Sequence, residues 1–255
     1  MTISRRTLLK ATGVVASGGL FSQALPVDTA HASPAAAPAS RAQVKAVQAK
    51  FNALGLPRLA EDGVEGRQTR RNLSVARFIW NLPGGNTTRL GAAEAQAYLA
   101  APSLPKPRPE LTSEITFHLS TQAVFWVKNG VYVAIMAGTS GSPHLWIPER
   151  QRYEDHSSPT GRTTLIKQVG NAGWTNSTLY PEKTGPGHMY NKLLVFNGVH
   201  ASLRLHGSNY ILPYPASHGC YRVSVTDITR IWNAWHKGMT FGVIGSTAEG
   251  YALAR

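Results

Sequence analysis

A lone cysteine, Cys220, ends the run Ser217-His218-Gly219-Cys220, and His206-Gly207 lies a short distance upstream. A thiol becomes a useful nucleophile only when a neighbouring base, cation or dipole favours its thiolate. His206 follows the apolar run Ser202 to Leu205, so a strand can place its imidazole as base for a sulfur on the adjoining loop. Gly219 lets the backbone pass close to a substrate, and the amides of Gly219 and Cys220 could stabilise a developing oxyanion. The chemistry indicated is acyl transfer through a thiol. Other readings compete for the same residues. A single cysteine is commonly a small buried apolar residue, although polar neighbours, a preceding glycine and two histidines do not resemble a core position. His188, His200, His206, His218 and Cys220 include enough donors for zinc, but their spacings form no paired metal motif. Ser217 lacks the Gly-x-Ser-x-Gly elbow of a serine nucleophile.

These residues need a scaffold, and the pattern from Leu111 onward supplies short strands. Ile115–Leu119, Ala123–Val127 and Val131–Ala137 are rich in Val, Ile, Phe and Tyr, and Asn129-Gly130 between the last two is a strong hairpin signal. Further strands are expected at Thr163–Gln168, Leu193–Phe196, Ser202–Leu205 and Thr240–Ile244. One long helix carries Val225, Ile228, Ile231, Trp232 and Trp235 on a face and stops at Gly238. The long loop 169–190, with Trp174 and Tyr190, has the length of a functional segment such as a lid. Ahead of these strands, Val44, Val47, Phe51 and Leu54 repeat at helical steps. A second helix carries Leu73, Ala76, Phe78 and Ile79, and a third runs from Ala92 to Ala100. Residues 41–100 thus form a small helical domain with a marginal core. Four prolines in 101–109 make a semi-rigid linker before a catalytic domain at 110–246 and a tail at 247–255.

Hydrophobic residues make up 42% of the 255-residue chain and charged residues only 15%, yet the formal net charge is +13. That excess favours an anionic partner. Nucleic acid is disfavoured, because the Lys and Arg residues are dispersed and no nucleic-acid module is visible. Residues 1–32 read as an export signal: Ser4-Arg5-Arg6-Thr7-Leu8-Leu9-Lys10 resembles the twin-arginine pattern, and Ala30-His31-Ala32 supplies a small-x-small cleavage site. Its removal leaves the chain at +11, with an Ala/Pro/Ser tether at 33–40. The expected destination is the cell wall or the extracellular, periplasmic face of the membrane.

Arg204-Leu205-His206-Gly207 followed by Ser217-His218-Gly219-Cys220-Tyr221-Arg222 resembles the signature of the L,D-transpeptidases, the YkuD-like catalytic domain. Ser158-Pro159-Thr160-Gly161-Arg162-Thr163 is similar to that family's strand lead-in, and Ala137-Gly138-Thr139-Ser140-Gly141 to its Val-Ser-x-Gly turn. The helical segment, with Asp62-Gly63-Val64-Glu65-Gly66-Arg67-Gln68-Thr69, resembles a peptidoglycan-binding three-helix module. The resemblance implies a mainly β domain, a β-sandwich with one long helix, preceded by a small all-α domain. It implies Cys220 as nucleophile, His206 as its base and the Gly207 carbonyl orienting the imidazole. His218 and Ser217 would then shape the site, Arg222 would hold the loop or a substrate carboxylate, and Tyr190 and Trp174 would line the cleft. The implied partners are peptidoglycan stem peptides and glycan, anionic wall polymers, and carbapenem-type β-lactams as covalent inhibitors. No cofactor or metal is implied. An L,D-carboxypeptidase, and a non-catalytic wall-binding protein, stay open as alternatives. Two features depart from the family: the short His206–Cys220 interval, stiffened by Pro213 and Pro215, and the long segment 169–190.

Overall fold

The computed structural model describes residues 37–86, 88–170 and 192–254. The expected signal segment, and Trp174, His188 and Tyr190, lie outside the described residues. Among the described residues three helices come first: α1 (Arg41–Ala53), α2 (Arg67–Trp80) and α3 (Ala92–Ala100). Ser40 caps α1 by accepting from the Gln43 amide while the Gln43 side chain returns to the Ser40 amide, which satisfies two orphan groups together. The turn after α1 is organised by Gln48, a buried amide with every polar atom used. Its nitrogen donates to Asp62, Val64 and Thr69 at 3.0–3.1 Å, and its oxygen accepts from Gly63 at 2.8 Å. A buried polar group so satisfied fixes one loop geometry.

Among the described residues ten strands follow: β1 (Ile115–His118), β2 (Ala123–Lys128), β3 (Val131–Thr139), β4 (Leu145–Ile147), β5 (Arg152–Glu154), β6 (Gly161–Gly170), β7 (Lys192–Phe196), β8 (Arg204–Gly207), β9 (Tyr221–Val223) and β10 (Met239–Ile244). Helix α4 (Val225–Ala234) precedes β10, and α5 (Thr247–Tyr251) follows it. Asn129 and Gly130 both have positive φ, 52° and 71°, as a two-residue hairpin requires. The domain is mainly β, with helices ahead of it, as expected. Its sheet is closed rather than split into the two layers of a sandwich. The order is β1-β10-β6-β7-β8-β9-β3-β2, and β4-β5 stands apart as a hairpin. Closure follows because β1 is paired on both edges, antiparallel to β2 and parallel to β10, while β9 joins β8 to β3.

Phe117, Leu165, Phe196, Leu205, Tyr221 and Phe241 fill the barrel, and Ile228 and Ile231 of α4 pack on it. A second cluster joins the helices to the outer face of β2 and β3: Phe51, Leu73, Ile79 and Tyr98 with Phe125 and Ile135. Phe78 lies 5.3 Å from Phe125 and 4.2 Å from His118, centroid to centroid. The Pro-rich segment carries no helix or strand, and the elements on either side of it share this core. Residues 247–254, expected as a tail, are docked instead. Leu253 is buried, and Gly250 lies so close to the Leu119 carbonyl that a Cβ would collide with it.

Burial pushes His118 down from 6.5 to about 4, with nearby Glu110 opposing and Arg108 reinforcing. The Thr121 amide donates to its Nδ1 at 3.3 Å, so the folded state holds the ring neutral. The unfolded chain therefore binds the proton more readily, and stability is full above pH 6.5 and falls as pH drops toward 4. The expected loss is about 3 kcal/mol across that window. Urea midpoints measured from pH 7.5 to 4 should show it, and His118→Gln should flatten the difference.

Candidate functional site

Strands β8 and β9 run parallel, with Leu205 opposite Tyr221, His206 opposite Arg222 and Gly207 opposite Val223. Leu205, Tyr221 and Val223 are buried in the barrel. Side chains alternate along strands, so Arg204, His206 and Arg222 share the other face. One step before β9, the same register sets Cys220 beside Arg204, and the Arg204 backbone hydrogen-bonds the thiol. Cys220 and His206 are thus diagonal neighbours on adjacent strands. Sequence reasoning expected a tight connection between them, and the parallel pairing explains its length. A parallel link needs about a dozen residues, and residues 208–220 provide little more than that.

His206 is buried, and its Nδ1 lies 2.8 Å from the Gly207 carbonyl oxygen. A carbonyl only accepts, so Nδ1 carries the proton and the neutral ring keeps Nε2 as the basic atom. Burial raises the Cys220 thiol above its ordinary range, while the Arg204 backbone and the charges of Arg222 and Arg204 pull it down. The resting sulfur is accordingly a thiol, and its activation needs a proton acceptor. The Arg204 guanidinium is anchored on the Ala201 and Leu203 carbonyls at 2.7 and 2.6 Å.

The turn into Cys220 is fixed from within and from outside. Ser217 Oγ donates to the Cys220 carbonyl at 2.6 Å and accepts from the Gly219 amide at 3.2 Å. One expectation changes here. The Gly219 amide points at Ser217 rather than toward an oxyanion. Ser217 is fully buried, with its hydroxyl engaged inside the turn, and positions the loop. Gly219 itself has φ +106°, a conformation suited to glycine. From outside, Ser158 Oγ donates to the Gly219 carbonyl at 2.7 Å and accepts from the Gly141 amide at 2.8 Å. The Ser140 carbonyl accepts from the Ala216 and Ser217 amides, both at 2.9 Å. Buried Gln122 in turn holds Ser140 through both atoms of its amide.

Ser158 opens the strand lead-in motif, and its double hydrogen bond is a role that the sequence did not disclose. In Ser158→Ala, two buried backbone groups lose their partner, at about 1–3 kcal/mol each. The variant should melt several degrees lower, and any turnover that depends on Cys220 should fall about tenfold or more through loss of loop placement.

Sequence reasoning also missed an acidic group near the loop. His218 stacks edge-on against His156, with centroids 5.1 Å apart, and His156 Nε2 lies 3.3 Å from Glu154. Arg150 and then Arg152 hold the Glu154 carboxyl down at about 2, so it is ionised throughout the neutral range. His200 lies with the core: its Nδ1 meets the Tyr221 hydroxyl at 3.2 Å, away from the face that carries His206. Among the described residues, no group of three or more His, Cys, Asp and Glu side chains is placed to hold a metal ion. Arg222 lies between Thr139 of β3 and His206 of β8 in the sheet.

The family model of the L,D-transpeptidase catalytic domain, YkuD, matches residues 112–244. No curated protein matches the chain. Among solved structures, an L,D-transpeptidase from Xylanimonas cellulosilytica is similar, with 24% identity over 85% of this chain and 99% of that one, and a TM-score of 0.48. One from Stackebrandtia nassauensis has 15% identity over 83% and 94%, with a TM-score of 0.43. L,D-transpeptidase 3 from Mycobacterium tuberculosis, solved with a faropenem-derived adduct, has 16% identity over 51% and 58%, with a TM-score of 0.37.

Proposed function

The chain belongs to the YkuD family of L,D-transpeptidases, and from that premise we propose that it crosslinks peptidoglycan through a Cys220 thioester. The observation that carries the proposal is the placement of Cys220 beside an imidazole whose Nδ1 is tied to the Gly207 carbonyl. His206 Nε2 takes the thiol proton as sulfur attacks the amide carbonyl between the third stem residue and its terminal D-alanine. The tetrahedral oxyanion is stabilised by the Cys220 amide, since the Gly219 amide is committed to Ser217. The C–N bond breaks, D-alanine leaves with the proton from His206, and the acyl group remains on sulfur. An amine on the third residue of a neighbouring stem then gives its proton to His206, attacks the thioester and expels the thiolate. The product joins two third residues.

Arg222 and Arg204 raise the positive potential around the sulfur, which suits a substrate rich in carboxylates and a wall with anionic polymers. Residues 1–32 direct export by the twin-arginine route, and the helical module holds the enzyme on the glycan. Carbapenem-type β-lactams acylate the same sulfur.

Incubation with disaccharide tetrapeptide and mass spectrometry of the products tests the reading. Crosslinked dimers with released D-alanine are expected. Free tripeptide alone would reassign the chain as an L,D-carboxypeptidase, and unchanged substrate with a folded sample would overturn both.

A further inference from the structure

The hairpin β4–β5 lies outside the barrel and carries two large aromatics in an unusual place. Trp146 and Tyr153 are cross-strand partners, 46% and 66% exposed, with ring centroids 5.1 Å apart. Among the described residues, neither the indole N–H nor the phenol has a hydrogen-bond partner. The exposure does not come from a loose segment. Ile147, on the opposite face of the same strand, is completely buried. The His144 ring packs on Tyr251 of α5 at 5.7 Å, and beyond the hairpin the His156 amide donates to the Ser142 carbonyl at 2.8 Å. The base of the hairpin is therefore fixed, and its aromatic face is presented to solvent.

That base is also the wall of the nucleophile loop. The Ser142 amide donates to the Ser217 carbonyl at 3.0 Å, Ser158 holds the Gly219 carbonyl, and His156 meets His218. The segments that flank the hairpin therefore touch the loop that carries Cys220. A β-linked amino sugar with equatorial substituents presents flat faces of axial C–H groups, and these fit the electron-rich faces of exposed aromatic rings.

We propose that the Leu145–Glu154 hairpin is a saccharide-binding ledge on which Trp146 and Tyr153 stack against a peptidoglycan glycan strand. The ledge deepens the reading of the chain as a peptidoglycan transpeptidase and rests on it for the identity of the polymer. It carries the sugar backbone while a stem peptide reaches the sulfur.

The probe is the tetramer of β-1,4-linked N-acetylglucosamine, which has no peptide, titrated calorimetrically into the intact protein. Wild type should bind it, and Trp146→Ala and Tyr153→Ala should each weaken binding about 10- to 30-fold, the range for a truncated aromatic anchor. Trp146→Phe should retain part of the affinity, and circular dichroism melts check that each variant is folded. The ratio of kcat/KM on glycan-bearing to glycan-free tetrapeptide should fall about tenfold in Trp146→Ala. Unaltered binding in both alanine variants, or no tetramer binding by a wild type that crosslinks muropeptides, would overturn the ledge and leave the transpeptidase reading standing. Tetramer binding that depends on Trp146, in a protein that turns over no muropeptide, would keep the ledge and remove that reading. A concentration-dependent dimer lost in Trp146→Ala would make the face a contact between copies of this chain and overturn the ledge.

Discussion

Cys220→Ala should abolish acyl transfer and leave the fold standing. The side chain is half-buried, and alanine keeps the backbone of a turn whose hydrogen bonds run through Ser217, Ser158 and Ser140 rather than through the thiol. The stability change should therefore stay within about 1 kcal/mol, as for substitutions outside the main core. Turnover should fall by about four orders of magnitude or more, because no neighbouring group replaces sulfur and the residues of a nucleophile–base unit act together. Cys220→Ser should be almost as inactive, since a hydroxyl is a far weaker nucleophile than a thiol at neutral pH. Intact-protein mass after carbapenem treatment should show one adduct on wild type and none on Cys220→Ala. An adduct that survives in the alanine variant would remove the thioester mechanism. Alkylation by iodoacetamide should accelerate as pH rises, because burial holds the free thiol high. A plateau reached below neutral pH would mean a thiolate preformed in the resting enzyme.

Local chemistry explains which parts of this molecule were legible in sequence. The helices showed as apolar repeats closed by Gly or Pro, and α3 was placed residue for residue at Ala92–Ala100, whereas α4 ends at Ala234, short of the expected stop at Gly238. Asn129-Gly130 marked its hairpin because both positions need positive φ. Short strands gave weaker signals. Strand β9 has three residues, β4 and β5 three each, and no period can be read over such lengths. Barrel closure is a non-local property: β1 meets β10 across more than a hundred residues. The site divides along the same line. His206 and Cys220 could be argued as base and nucleophile from residue type and neighbours, while the role of Gly207 came with the family resemblance. The groups that hold the motif come from elsewhere. Ser158 reaches Gly219 across 61 residues, and Gln122 secures Ser140, which in turn holds Ser217. The occupied Gly219 amide was also beyond sequence, because both Ser217 and a substrate oxyanion are plausible acceptors until the folded turn chooses one.

Gly141 is the point at which that distant support can be broken by one methyl group. A Cβ built there would collide with the His156 carbonyl oxygen and come within 2.8 Å of the Gly219 Cα and 2.9 Å of the Ser158 nitrogen. All three atoms are backbone, so no rotamer change relieves the clash. Its own amide donates to Ser158, and a bridge pairs it with Ser217. Any displacement therefore passes directly to the turn before Cys220. Gly141→Ala should lose about 3 kcal/mol or more through overpacking in a rigid site. Where protein survives at low temperature, kcat should fall at least about 100-fold, the scale expected when a nucleophile is misplaced by about 1 Å. Gly130→Ala is the control, a glycine with positive φ and no atom within 4 Å of the place a Cβ would take. It should lower stability by about 1 kcal/mol through backbone strain alone. Carbapenem acylation rates on folded Gly141→Ala separate placement from stability. A rate equal to that of wild type would show that the close approach of Gly141 and Gly219 does not set the position of the sulfur.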